Sequence, residues 1–106
     1  NLLPLKMFSQ TYYLIRSRTD GSYLAAYPKL AEDEARSPAN GFVLLFPEQY
    51  DALGYLNKFA GERSNQFTTE SINGSQMTSL LDRWGYKGFG IVKDPLIPTI
   101  EFLSKS

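Results

Sequence analysis

The residue types and spacing that come nearest to chemistry lie in Arg83-Trp84-Gly85-Tyr86-Lys87-Gly88-Phe89-Gly90. Two cations in a glycine-rich turn can hold a phosphate or carboxylate on backbone N–H groups. Phosphate-binding loops place their glycines after a strand and before a helix. Here that order is reversed, and the simpler reading is a glycine helix cap with Trp84 as a core anchor. Elsewhere, Glu32-Asp33-Glu34 are adjacent and cannot converge like the alternating ligands of a calcium loop. Glu70 and Glu101 are candidates for a carboxylate pair, but nothing in the sequence brings them together. Arg16, Arg18, Tyr12 and Tyr23 combine cations with stacking rings, the ingredients of a single-strand nucleic-acid platform.

Absent residue types bound the remaining options. The 106 residues include no His and no Cys. That removes imidazole bases, Ser-His triads, thiolate nucleophiles, disulfides and the usual zinc sites. Ser and Thr are plentiful, yet no Gly-x-Ser-x-Gly elbow or Ser-x-x-Lys pair occurs. Eleven Lys plus Arg balance eleven Asp plus Glu, so the chain lacks the cationic field that drives nucleic-acid binding. The expectation is a non-enzymatic binding or regulatory domain without cofactor or metal, acting through protein contacts. The alternative is a small anionic-ligand domain, or a carboxylate or Lys enzyme, built on Arg83, Tyr86 and Lys87. A weak nucleic-acid binder at Arg16 and Arg18 is the third reading.

The elements that must position these residues follow from pattern. Residues 11–16 and 22–27 have strand composition around a Thr19-Asp20-Gly21 turn, which predicts an opening antiparallel hairpin. Residues 42–46 are apolar throughout, as in a central strand covered on both faces. A helix begins near Pro47, with Ala52, Leu53, Leu56, Phe59 and Ala60 as its apolar stripe and Gly61 as its stop. Gly54 inside it points to close packing. Residues 67–72 alternate as a strand. Ser75 then caps a second helix carrying Met77, Leu80, Leu81 and a buried Trp84, and ending at Gly85. Residues 89–92 and 99–103 complete the strands, joined by Asp94-Pro95-Leu96-Ile97-Pro98. The Asp94 side chain starts that turn, and Leu96 and Ile97 form an apolar docking edge.

The fold class expected is α+β: one domain over residues 1–106, with a mixed sheet, an N-terminal hairpin and two packed helices, and residues 1–10 as an N-terminal arm. Aromatics make up 14% of the chain, enough to stabilise such a core without staples. Asn1 at the start points to processing or trimming, with Met7 a possible natural start. No basic region precedes an apolar run there, and no run reaches the ~20 residues that span a bilayer. The expected location is therefore the cytoplasm, away from membranes. Sheet edges poorly protected by charge, together with Leu96 and Ile97, predict a homodimer.

The second half, from Gly41 to Leu103, resembles the SseB-like domain family of small α+β proteins. The resemblance is carried by the apolar strand Phe42 to Phe46, the helix Tyr50-Asp51-Ala52-Leu53-Gly54-Tyr55-Leu56, a short helix before Gly88-Phe89-Gly90-Ile91-Val92, and the Asp94-Pro95 turn. It implies an α+β fold and no catalytic residue. The chain is also similar to small uncharacterised cyanobacterial proteins.

Overall fold

A strand with no polar position is stable only when both of its faces are covered, and residues 42–46 are covered on both. The computed structural model describes residues 3–105. Asn1, Leu2 and Ser106, with the expectations that fall on them, lie outside the described residues. In chain order the elements are β1 (Tyr12–Ser17), β2 (Ala25–Ala26), β3 (Phe42–Leu45), α1 (Gln49–Phe59), β4 (Phe67–Ile72), α2 (Gly74–Trp84), β5 (Gly88–Asp94) and β6 (Thr99–Ser104). Single 3-10 segments occupy Leu5–Ser9, Pro38–Asn40 and Gly61–Gln66.

One sheet has the order β2-β3-β5-β6, with β3 parallel to β5 and the other pairs antiparallel; β1 and β4 form a second, antiparallel sheet. The chain is thus α+β with a mixed sheet, as its element pattern implies. The faces of β3 separate two cores. Val43 and Leu45 pack with Leu14, Ile72, Met77, Leu81, Phe89 and Tyr86 beneath α2. Leu44 and Phe46 pack with Ile15, Val92, Ala52 and Leu56 beneath α1.

The opening hairpin is only partly formed. Arg16 and Tyr23 make a single bridge, after which Ala25 and Ala26 turn away to pair with Val43 and Phe42. Over its whole length β1 also pairs, on its opposite edge, with β4, Leu14 opposite Glu70. Its other edge exchanges two hydrogen bonds with Phe46, of 2.8 and 2.7 Å, which join the two sheets at a corner. The physical reason lies in β1 itself: Leu14 belongs to the core under α2 and Ile15 to the core under α1. With both faces buried, β1 sits inside the fold, bonded to residues 22–24 and Phe46 on one edge and to β4 on the other.

Several local expectations are corrected. The second helix is capped at Asn73, whose backbone N–H donates to Gln76 Oε1 at 2.9 Å, and not at Ser75. The stripe of α1 is rotated: Ala52 and Leu56 are buried, Tyr55 packs at a tilt against Phe46, and Leu53 and Phe59 are exposed. A Cβ added at Gly54 would meet nothing within 4 Å, so close packing does not explain that glycine. Trp84 is only half-buried, and Tyr86 takes the buried place behind it. Finally, the segment expected to be an arm packs on the domain. Met7 is in the core, and a Cβ at Gly74 would collide with the backbone of Phe8.

Candidate functional site

Helix α2 packs Met77 and Leu81 on the core that holds Leu14 and Ile72, and a cleft of about 250 Å³ opens between α2 and the Glu70–Ile72 end of β4. From β4 it is lined by Glu70, Ser71 and Ile72, and from α2 by one face running from Ser75 through Ser79 and Leu80 to Arg83 and Trp84. Leu14 and Tyr23 line its inner side. The helical period sets this wall, since Ser75, Ser79 and Arg83 recur every fourth residue.

Two motifs that are separate in the sequence meet here. The Tyr23 ring stands edge-on to Trp84, with centroids 5.5 Å apart and planes at 79°. Such pairs contribute about 0.5–1.5 kcal/mol beyond the area they bury. Behind both lies Tyr86, 5% exposed and 6.5 Å from each ring. Burial raises its phenol pKa. The Arg16 guanidinium covers the other side of Tyr23 at 4.9 Å. It donates from Nε to Gly21 O at 2.7 Å and pairs with Glu70 at 3.6 Å. The turn beneath is fixed by Asp20, whose carboxylate accepts from Ser22 N–H at 3.0 Å and from its hydroxyl at 2.7 Å. Those bonds lower the Asp20 pKa.

The five residues singled out at the turn and loop do not form one site. Arg83 stands on the rim of the cleft, exposed and without an ion pair among the described residues. Tyr86 is a core residue that supports the cleft from behind. Lys87 points elsewhere, with its ammonium over the Phe42 ring at 5.9 Å. Two of the turn's backbone donors are already engaged. Its Gly85 N–H donates to Leu81 O at 2.7 Å and its Lys87 N–H to Gly41 O at 2.9 Å, so both donors are spent. Gly85 is left-handed, with φ of 79°, as a helix-ending glycine should be.

Leu96 and Ile97 are 53% and 73% exposed at a separate place. Asp94 Oδ1 accepts from both of their N–H groups, at 2.9 and 3.2 Å, which is the side-chain turn the sequence predicts. Lys58 at the end of α1 donates to Leu96 O and ties that loop to the helix. Glu70 and Glu101 lie in different sheets, each beside its own cation: Arg16 for Glu70, and Lys93 at 3.1 Å for Glu101.

A second cleft, of about 460 Å³, lies on the α1 side of β4 between Arg18, Leu53, Asn57 and Phe67 to Thr69. Sequence reasoning missed it. Of its lining, the sequence singles out Arg18, but for a hairpin platform, and it assigns Leu53 to the core.

Set against family models, curated proteins and solved structures, the chain matches none. Among the described residues no helix is long and apolar enough to cross a membrane. Chemically, the α2 cleft offers aromatic rings, serine hydroxyls and a cation, Arg83, without an ion pair among the described residues. Its Ser75 hydroxyl already donates to Asn73 Oδ1 at 2.7 Å, and its one carboxylate is held by Arg16.

Proposed function

We propose that the chain is a non-enzymatic binding domain acting through protein contacts, and that its recognition site is the cleft between β4 and α2. The observation that carries this reading is the convergence of the Tyr23–Trp84 pair, the exposed Arg83 and the edge of β4 on one concavity. Aromatic and Arg side chains around a concave site are the groups that dominate recognition energies. The SseB-like kinship of residues 41–103 belongs to the same proposal. It rests on the apolar strand, the two helices and the Asp94 turn, and it implies no catalytic residue.

The test is a selection from random heptapeptides displayed with free carboxyl termini, run on the native domain and on Ser79→Trp. Ser79 is exposed on the cleft wall, so an indole there fills the cleft without entering the core. Peptides should be enriched on the native domain and lost on the variant. Equal enrichment on both, or none on either, overturns the reading.

A second contact is favoured by one observation, that β6 is the outer strand of its sheet beside exposed Leu96 and Ile97. On this reading that edge pairs two copies of the chain and leaves the cleft open.

A further inference from the structure

Building on the cleft reading, we infer that the partner binds as an added strand. An extended, acidic peptide segment pairs with the outer edge of β4, with its side chains falling alternately into the clefts on either side.

The hydrogen-bonding directions of β1 fix those of β4. In an antiparallel pair, residues alternate between bonding to the neighbour and pointing away from it, and residues directly opposite share the same direction. Tyr13 bonds to Phe46, Ile15 O accepts from Leu24, and Ser17 N–H donates to Ser22 O, so all three point away from β4. Their partners Ser71, Thr69 and Phe67 must then point away from β1. Phe67 is already engaged: its N–H donates to Ser64 O, and its carbonyl accepts from Arg18 Nε at 3.3 Å. Thr69 and Ser71 have no backbone partner on that side among the described residues, and β4 has no outer neighbour there. Two residues' worth of ladder donors and acceptors is therefore open.

The flanks match what an added strand needs. Three consecutive β4 residues line the α2 cleft although strand side chains alternate in direction, so that cleft reaches the edge itself. The α1 cleft reaches the same edge at Thr69. Main-chain pairing supplies affinity in such complexes, and pockets for alternate side chains supply specificity. Charge selects the occupant. Arg83 stands at the cleft beside the end of β4 and Arg18 at the one beside its start, neither with an ion pair among the described residues. An apolar or aromatic residue against Trp84 with a carboxylate near Arg83 satisfies both features.

The test uses the enriched heptapeptides, resynthesised with single N-methyl groups at each position. Only alternate residues of an added strand direct their N–H at β4. Methylation should therefore weaken binding tenfold or more at two positions spaced two residues apart, those facing Thr69 and Ser71, and little elsewhere. Arg83→Gln should weaken the acidic peptides several-fold and flatten their salt dependence. Loss that is uniform along the peptide, or uniform tolerance, overturns strand addition. If Ser79→Trp still blocks such peptides, the cleft reading stands without it; if Ser79→Trp has no effect, the cleft reading falls as well. Concentration-dependent shifts of the Thr69 and Ser71 amides in the protein alone would place a second copy on this edge, and would also overturn the proposal.

Discussion

Tyr23 and Trp84 meet edge-on at 5.5 Å although one follows the first strand and the other closes the second helix. Their meeting turns two weak sequence motifs into one wall of a cleft. Because Trp84 is half-buried there, Trp84→Ala should cost about 1–2 kcal/mol, below the roughly 3–5 kcal/mol usual for a fully buried aromatic. Phe89→Ala, at a position with no exposed surface, should show the full cost. Urea unfolding of both variants checks the order, and equal losses would mean that Trp84 is a core residue after all.

Two glycines predict opposite signs. Gly54 has open space beside it in the interior of α1, so Gly54→Ala should stabilise by up to about 1 kcal/mol through helix propensity. At Gly74 the same change collides with Phe8 and should displace the Leu5–Ser9 segment, and Met7 with it. Thermal melts should rise for the first variant and fall for the second.

Much of the architecture is legible in the sequence because it depends on local chemistry. The uninterrupted apolar residues 42–46 mark the central strand, Gly85 marks a helix end, and Asp94 marks a turn. The pairing of β1 is not legible in the same way. Its alternation fits a hairpin with residues 22–27, but that pairing stops at Leu24, and the β4 pairing on the opposite edge joins residues too far apart in sequence to leave a local signal. The site shows the same limit. Arg83 and Tyr23 were each visible as candidates, but their convergence depends on how α2 packs on the core beside β4. By sequence Tyr86 is a ligand-site candidate beside Arg83 and Lys87, yet it is buried behind Trp84.

Alkaline pH should loosen the cleft. Burial raises the phenol pKa values of Tyr12, Tyr55 and Tyr86 above the ordinary value near 10. A group whose pKa is raised in the folded state contributes stability that is fully present below its unfolded value and lost as pH rises through its folded value. Stability should thus be flat with respect to these groups up to about pH 10 and fall above it. The fall should coincide with the late part of the tyrosinate absorbance change and with exposure of Trp84 to quenchers. A Tyr86→Phe variant should lose its share of that dependence.

Self-association through β6 predicts a mass that rises with concentration from the 12.0 kDa of the monomer toward twice that value. Replacing Ile97 with Lys should return the monomer while leaving the cleft intact. Light scattering decides the point, and a constant monomer mass at every concentration removes the dimer.

The account rests most heavily on where a partner binds. Titrating an enriched peptide into the ¹⁵N-labelled domain and following amide and indole shifts tests that directly. The shifts should cluster on Thr68 to Ile72, on Ser75 to Trp84 and on the Trp84 indole, with the Thr69 and Ser71 amides moving most. Shifts centred on Leu96, Ile97 and β6, with β4 and α2 unmoved, would contradict it.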